Sequence, residues 1–297
     1  YFNNNNYWNL SEKYSTDLKT ISGKFFLNLK ERLEDDHYDV FDNNGLPIRF
    51  VDGKRAYNYT TICSYALAKW QLYIETGSYN YTEHLFKTID FLFNNNELTE
   101  YQGLVFPYNG KLSAMNQGEA LSVLARGYEL TGNKEYIDFA EKIIKSYKVL
   151  VEEYGVRGQF KKLENVYWFE EIATIPHKHI LNGMVYALVG LWEIYQVMPQ
   201  LTQAKELFDE GVKYVEKVLP LFDTGKWSWY WIDEERPNYI ASAMYHNLHI
   251  CQLNYLYELT NKPIFHQYAE KFETYYGNPI NKLKAGFSLL TSKFKMR

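Results

Sequence analysis

The sequence has little cysteine, no excess of positive charge and no long uninterrupted hydrophobic run. Its two cysteines, Cys63 and Cys251, stand in apolar helical surroundings, so we expect small buried side chains and no disulfide framework. The formal net charge of -4 supplies no basic field for DNA or RNA, and we expect no nucleic-acid partner. The longest apolar run, within 180–197, is interrupted by Asn182 and Glu193, which predicts a buried helix and no membrane span.

Sequence fingerprints of several enzyme classes are missing as well. There is no glycine-rich phosphate-binding loop, no dinucleotide-binding fingerprint and no G-x-S-x-G nucleophile elbow, so no cofactor is indicated. His246 and His249 have i, i+3 spacing, but no cysteine or clear carboxylate accompanies them, and we expect no metal site. Because the sequence starts at Tyr1 rather than Met, a leader could have been removed, and the compartment stays open.

Aromatic residues, by contrast, are abundant: 28 Tyr, 18 Phe and 7 Trp make up 18% of the chain. Flat apolar rings and phenol hydroxyls suit contact with sugar rings, which makes a carbohydrate ligand one interpretation. The alternative is an ordinary core filled with Tyr and Phe, and composition by itself favours this alternative.

Helical periodicity dominates the chain and predicts an all-α fold. Thr76-Gly77, Thr131-Gly132 and Thr260-Asn261 each end one helical pattern shortly before another begins. The predicted helix pairs are 60–77 with 81–97, 114–131 with 134–152, 180–197 with 201–219, and 243–260 with 263–276. The helix from Ile180 is apolar nearly all round and has to be enclosed, which indicates the alternating inner and outer helices of an (α/α) barrel or toroid.

We expect one catalytic domain, the (α/α) barrel of residues 60–297, with residues 1–59 as a short N-terminal arm that packs on it. Strand-like alternation is confined to short stretches such as 45–51 and 103–108. Long links of a kind that more often carries function than packing join the helix pairs at 98–113, 153–179 and 220–242. We expect these links to form the active-site loops.

Two segments offer polar groups for chemistry, one at the start of a predicted inner helix and one in the longest link. Gln117, within 113–122, offers amide hydrogen bonds to hydroxyl groups, although helix packing explains the small residues around it equally well. Trp168 precedes Glu170 and Glu171 in the longest link. Paired carboxylates beside aromatic residues can have one pKa raised toward neutrality, as a general base requires, whereas most Glu-Glu pairs are merely solvated.

Two further segments lie near the C-terminus. Residues 227–231 contain four aromatic residues in a predicted loop, which would form an exposed apolar patch unless they line a cleft or a packed edge. On the helix from 243, Tyr245, His249 and Gln252 fall on one face at i, i+4 and i+7. A polar stripe on an otherwise apolar helix has to be paired or functional.

Taken together and in order, these segments resemble the C-terminal catalytic domain of the D-glucuronyl C5-epimerase family, which makes iduronate in heparan-type polysaccharides. The resemblance is clear over 113–275 and weaker over 41–67. It rests on Ser113-Ala114-Met115 with Gln117-Gly118 and Arg126, Trp168 with Glu170-Glu171, Pro176 with Leu181-Asn182-Gly183, Asp223-Thr224-Gly225 with Tyr230, and Tyr245-His246 with His249-Ile250 and Gln252-Leu253. The central β-rich region of the animal enzymes has no counterpart, so the chain is similar to a short member built on the helical domain.

The resemblance implies that Glu171 and Tyr245 form an acid/base pair and that Tyr230 is a further active-site tyrosine. The substrate-binding residues that we expect are Gln117, Arg126, Trp168, Glu170, Asn182, Arg236, His246 and His249. Two positions depart from the family pattern. Ile172 stands where a tyrosine usually follows the second glutamate, and Asp233 stands where an arginine is expected, with Arg236 close enough in sequence to substitute.

The activity implied is that of a uronate C5-epimerase, which converts D-glucuronate to L-iduronate residues in a heparosan-like acidic polysaccharide. Removing the weakly acidic hydrogen beside a carboxylate needs a base on one face, an acid on the other, and cations or donors that stabilise the enolate. Glu171 and Tyr245 supply the proton transfers without a cofactor. Arg126, His246 or Arg236 could neutralise the substrate carboxylate, and the sequence does not rank them.

Three alternatives remain. A uronate polysaccharide lyase shares the first proton abstraction, a catalytically inactive glycan-binding barrel would keep the aromatic residues, and an (α/α)-barrel 2-epimerase or glycosidase for small sugars shares the architecture. Ile172 is the sequence feature that favours the inactive form. A homodimer is left open, and so is the compartment, which would be the cytoplasm for a prokaryotic protein and the Golgi lumen by analogy with animal relatives.

Overall fold

The computed structural model describes residues 21, 23–33, 40–51, 54–99, 101, 103–107 and 110–295. Its helices follow one another in contacting pairs: α1 (Tyr59–Thr76) with α2 (Glu83–Asn94), α3 (Ala114–Thr131) with α4 (Glu135–Ser146), α5 (Leu181–Val197) with α6 (Thr202–Val218), and α7 (Ala243–Thr260) with α8 (Pro263–Gly277). All four predicted pairs are confirmed. A further helix, α9 (Pro279–Lys295), was not predicted, and α4 ends six residues earlier than the predicted boundary at 152.

Capping explains where three of these helices end. Gly77, Gly132 and Asn261 adopt the left-handed conformation, with φ of 70°, 63° and 54°, directly after α1, α3 and α7. Each donates its backbone N–H to the carbonyl group four residues earlier, which satisfies one of the last helical acceptors. The same three helices begin at side-chain caps, which are Asn58, Ser113 and Ser242. The recurrent threonine-glycine or threonine-asparagine pairs therefore mark helix ends, as predicted.

The odd-numbered helices α1, α3, α5 and α7 form the inner layer. Helix α5 is buried without interruption from Leu181 to Ile194, and α3 packs between α1 and α5. Helices α2, α4 and α6 bury one face and expose the other. A helix without a polar face has to be enclosed, and the composition of α5 thus accounts for its central position.

Helices α3 and α5 approach each other at two glycines. A Cβ atom on Gly118 would lie 2.4 Å from the Tyr186 carbonyl oxygen, and one on Gly190 would lie 2.1 Å from the Gly118 carbonyl oxygen. Side chains of any size are excluded at both positions, because the neighbouring atoms belong to backbone. This contact fixes α3 relative to α5, and these two helices carry Glu119 and Asn182.

The described part of the N-terminal arm connects α1 to α7. Gln71 of α1 accepts a hydrogen bond from the Leu29 N–H at 2.9 Å, and Phe26 stacks on Tyr255 of α7 with ring centroids 4.9 Å apart. The segment then forms a 3-10 turn at Lys30–Leu33. The rest of the expected arm, at 1–20, 22, 34–39 and 52–53, lies outside the described residues.

Short antiparallel strands occupy the links. Their pairs are β1 (Arg49–Val51) with β2 (Lys54–Ala56), β3 (Glu97–Leu98) with β4 (Leu104–Val105), and β5 (Arg157–Gln159) with β6 (Tyr167–Phe169), and a three-stranded sheet has the order β7 (Lys178–Ile180), β8 (Trp229–Asp233), β9 (Tyr239–Ile240). The segment 227–231, predicted as a loop, is therefore partly strand. Its partner β7 is 51 residues away at the pair of Ile180 with Trp231, so no local pattern revealed the pairing.

The fold also bears on two expectations drawn from the composition, the state of the cysteines and the lack of a membrane span. Cys63 and Cys251 form no disulfide and are both buried, which confirms the prediction for them. Among the residues that the structure describes, none of the helices combines the length and the hydropathy that a membrane crossing requires.

Replacing Gly118 or Gly190 with alanine should lower the free energy of unfolding by about 1–3 kcal/mol, because the added methyl group meets backbone atoms that cannot move aside. Urea denaturation followed by circular dichroism measures the change. Gly277→Ala is the control, because no atom lies within 4 Å of the Cβ position there. Wild-type stability in both inner-helix variants would contradict the tight contact between α3 and α5.

Candidate functional site

Glu171 lies where the second link meets the first turn of α5. A Cβ atom on Gly183 would lie 2.3 Å from the Glu171 Cβ, so only glycine leaves room for the glutamate there. Asn182 Nδ2 donates to Glu171 Oε2 at 2.8 Å, and the Gly183 N–H also hydrogen-bonds to the carboxyl group. The N-cap residue Ile180 has no side-chain acceptor for the backbone N–H groups of the first turn of α5. The Glu171 carboxyl group acts as that acceptor at the positive end of the helix.

Burial decides the protonation of Glu171. It raises the pKa of the carboxyl group to about 7, although hydrogen bonds from Tyr230, Asn182 and Gly183 act in the opposite direction. Desolvation disfavours the charged form, and donors favour it. A carboxyl group with a pKa near neutrality can accept and release a proton at neutral pH, which is the property that a general base needs.

Tyr230 connects Glu171 to Tyr245. Its hydroxyl donates to Glu171 Oε1 at 3.3 Å and is hydrogen-bonded to the Tyr245 hydroxyl, and the two rings lie 4.4 Å apart between centroids. Burial raises the pKa of both phenols, so they keep their protons over the range in which Glu171 titrates. The expected mechanism places a base on one face of the sugar ring and an acid on the other; in the structure, the Tyr230 hydroxyl is hydrogen-bonded to both Glu171 and Tyr245.

Three separate elements deliver these groups. Glu171 follows β6, Tyr230 is on β8, and Tyr245 is in the first turn of α7, where its N–H donates to the capping Ser242 at 3.3 Å. Strand β8 pairs with β7, which leads directly into α5, and this pairing brings Tyr230 to the helix end where Glu171 is bound. The second and third links thus meet at one place.

Two ionisable residues beside this group were not assigned a role from the sequence. Glu119 of α3 is 2% exposed, and its Oε2 atom has no hydrogen-bond partner among the described residues. Burial raises the pKa of Glu119 to about 8, while Thr60 and Arg32 oppose the rise and Glu171 adds to it. Arg32, in the 3-10 turn of the N-terminal arm, is buried, and its charge acts on Glu119. In the sequence, the one indication of these two residues was that Glu119 is the single carboxylate among small residues at the start of a predicted inner helix.

The two arginines expected to bind substrate are engaged within the protein. Arg126 is buried and makes a bidentate pair with Glu193, with both N–O distances 2.8 Å. Arg236 is 54% exposed at its side chain, and its Nε lies 3.2 Å from Asp233 Oδ2. Asp233, at the position of the family's arginine, also accepts hydrogen bonds from two backbone N–H groups and closes the turn after β8.

Gln117, Trp168 and Glu170 are buried and hold backbone or side chains in place. Gln117 uses both amide atoms on the backbone around β4, and Trp168 donates its indole N–H to the Ile180 carbonyl group at 3.1 Å. Glu170 binds His179 Nδ1 at 2.7 Å. Among the hydrogen bonds of the described residues, none joins Gln117, Trp168 or Glu170 to the Glu171 carboxyl group.

His246 and His249 form a buried cluster with Ser228, whose Oγ lies 2.7 Å and 2.9 Å from their Nδ1 atoms. Burial lowers the pKa of His246 to about 3 and that of His249 far below its usual range, so both rings are neutral. His246 Nε2 donates to the Phe272 carbonyl group at 2.9 Å, and Ser228 must therefore donate to His246 Nδ1.

The single hydroxyl hydrogen of Ser228 is then used, and His249 has to donate from Nδ1. Its Nε2 atom consequently carries a bare lone pair, buried and without a partner among the described residues. His249 lies on α7 one turn after Tyr245 and one turn before Gln252, whose amide donates to the Asn182 carbonyl group at 3.0 Å. In the described part of the chain, no group of three His, Cys, Asp or Glu side chains is placed to hold a metal ion.

Other sequences are similar to more than half of this chain. The sequence model of the D-glucuronyl C5-epimerase C-terminus matches residues 87–274. The D-glucuronyl C5-epimerase of Caenorhabditis elegans is 32% identical over 187 residues, which are 58% of this chain and 30% of that protein. An uncharacterized protein of Methanocaldococcus jannaschii is 30% identical over 164 residues, 55% of this chain and 52% of its own length. The chain thus spans between about a third and a half of the length of these relatives.

Solved structures agree on the fold. An α-1,6-mannanase from Salegentibacter sp. superposes with a TM-score of 0.57 at 14% identity, covering 84% of this chain and 70% of that one. A family 105 glycoside hydrolase of C. acetobutylicum has a TM-score of 0.52 at 14% identity, covering 84% and 73%. At such identities the likeness concerns architecture, and the expected (α/α) toroid is confirmed.

The family match runs from within α2 into α8 and includes Glu171, Asn182, Tyr230 and Tyr245. It covers more than half of the chain and the whole of the hydrogen-bonded group described above. The chain therefore belongs to the D-glucuronyl C5-epimerase family and corresponds to its C-terminal domain.

Proposed function

We propose that this protein is a uronate C5-epimerase that converts D-glucuronate to L-iduronate residues in a heparosan-like polysaccharide. The observation that carries this proposal is the hydrogen-bonded series Glu171–Tyr230–Tyr245, in which a carboxyl group with a pKa of about 7 adjoins two protonated phenols. Such a series supplies a base and an acid without a redox step. Membership of the epimerase family supports the same reaction class.

In the proposed reaction, the Glu171 carboxylate removes the C5 proton, and the electron pair of the C–H bond moves into the uronate carboxyl group to form an enolate. Tyr245 then delivers its phenolic proton to the opposite face of C5, and the enolate returns its electrons to the new C–H bond. Glu171 has gained one proton and Tyr245 has lost one. Tyr230 is hydrogen-bonded to both, and proton transfer through its hydroxyl restores the starting state.

Glu171→Gln and Tyr245→Phe should each reduce deuterium incorporation at C5 by about 10²-fold or more, because each removes a proton-transfer group while keeping the shape of the side chain. The assay is incubation with N-sulfated heparosan in heavy water, followed by uronate analysis. Tyr239→Phe on the adjacent strand β9 and the exposed Glu235→Gln are the matched controls and should keep parental rates.

The same assay separates the alternatives. Accumulation of an ultraviolet-absorbing unsaturated uronate identifies a lyase, since expulsion of the C4 substituent leaves a double bond. A parent protein that binds but never exchanges C5 hydrogen in any glucuronate polymer, and that Ile172→Tyr does not activate, is a glycan-binding barrel. Normal exchange in both Glu171→Gln and Tyr245→Phe would reject the assigned site.

The pH dependence follows from the pKa of Glu171. A base with a pKa of about 7 is increasingly protonated below that pH, so kcat/KM for exchange should fall on the acid side of about pH 7. Tyr230→Phe removes a hydrogen bond that lowers this pKa, and the acid limb should move to higher pH. Tyr239→Phe should leave the limb in place, and an unmoved limb in Tyr230→Phe would contradict the assignment of Glu171 as the base.

A further inference from the structure

Helix α9, which follows the last helix pair, presents an apolar face to solvent. Ile280, Leu283 and Leu290 stand at i, i+3 and i+10 and therefore lie on one side of the helix. Between 57% and 61% of the surface of each of these side chains is exposed. Phe287 continues the same face between Leu283 and Leu290. Single exposed apolar residues are ordinary on a protein surface, but several on one helix face mark a site of interaction.

The opposite side of α9 packs on the barrel. Ala285 is buried against Trp227 and Ala241 of the third link, and the helix also contacts α7, α8 and β9. Lys282 reaches back to α8, where its Nζ lies 3.7 Å from the centroid of the Tyr276 ring. One side of the helix thus makes the contact with the barrel, and the apolar face described above lies on the other side.

The charge of α9 is also one-sided. The whole chain has 36 acidic and 32 basic residues, yet Pro279–Lys295 contains four lysines and neither aspartate nor glutamate. Lys284 is exposed one turn after Ile280, at the border of the apolar face. A helix that combines lysines with an exposed apolar face is typical of segments that lie in a membrane interface. There, apolar side chains enter the acyl boundary and lysines meet anionic headgroups.

We propose that α9 binds the surface of a membrane that contains anionic lipids. Ile280, Leu283 and Leu290 insert at the boundary between headgroups and acyl chains, and Lys284 contacts the headgroups. The helix lies parallel to the surface, and the barrel stays on the aqueous side. The attachment is peripheral, since none of the described helices has the length and hydropathy for a membrane crossing. This inference goes beyond the proposed reaction and does not depend on it.

Two other occupants account for less of this helix face. Docking of α9 against α9 of a second copy would bring lysines together, and the helix has no carboxylate to pair with them. An acidic glycan would pair with the lysines but leave the apolar side chains in water. An anionic lipid surface accounts for both the charge and the apolar face.

Co-sedimentation of the full chain with lipid vesicles tests the role of charge. Binding to vesicles of phosphatidylglycerol and phosphatidylcholine in equal parts should be about 10-fold or more tighter than binding to phosphatidylcholine alone, and added salt should reduce the difference. Lys284→Gln should weaken binding to the anionic vesicles by about 5-fold. Lys213→Gln, at an exposed position of α6, is the matched control and should bind like the parent protein.

The same assay tests the apolar face. Leu283→Ser combined with Leu290→Ser should weaken binding to the anionic vesicles by about 10-fold or more, because two leucine side chains no longer leave water on binding. The matched control is Leu98→Ser combined with Leu221→Ser, since these leucines are 64% and 42% exposed on other elements. The substituted side chains are all exposed, so circular dichroism should show the parental fold in both variants.

Equal binding of the parent protein to both kinds of vesicle overturns the proposal, and so does unchanged binding of the Leu283→Ser, Leu290→Ser variant. Size-exclusion chromatography with light scattering gives the competing outcome. A parent protein that ignores vesicles and forms a dimer, which the same variant converts to a monomer, assigns the face to a second copy of the chain. Because binding is measured, each result stands even if C5 exchange is absent.

Discussion

The contact between the Glu171 carboxyl group and the first turn of α5 is the interaction on which the site depends. It requires a glycine at 183 to admit the side chain, an asparagine at 182 to donate to it, and a buried helix end to exclude water. Burial raises the pKa of Glu171, whereas the helix end and the donors lower it. Their balance leaves a carboxyl group that titrates near neutrality rather than a permanent anion.

Much of the remaining structure serves to hold that contact in place. The glycine contact between α3 and α5 sets the spacing of the two central helices, and the buried Arg126–Glu193 pair joins the same helices farther along. Strands β7 and β8 carry Tyr230 to the end of α5. Several residues that belong to the family motifs, among them Gln117 and Trp168, thus bind backbone groups and support the site from outside it.

The buried histidines show how neutral polar groups are ordered around such a site. The Phe272 carbonyl group determines the tautomer of His246, and through Ser228 it also determines that of His249. The result is a lone pair of fixed orientation on α7, one turn from Tyr245. Burial keeps both rings uncharged, so they contribute hydrogen-bonding direction and no cation.

The sequence by itself determined the helix pairs, the ends of α1, α3 and α7, and the family, because apolar periodicity, left-handed caps and ordered motifs are local features of the chain. It also drew attention to Glu171, Tyr230 and Tyr245, through the family motifs. Only the tertiary structure decided which charges accompany them. Arg126 and Arg236 are engaged by Glu193 and Asp233, and the buried Arg32, whose charge acts on Glu119, precedes the family match in the chain. Burial, partner choice and strand pairing depend on residues far apart in the chain, and a local pattern carries no record of them.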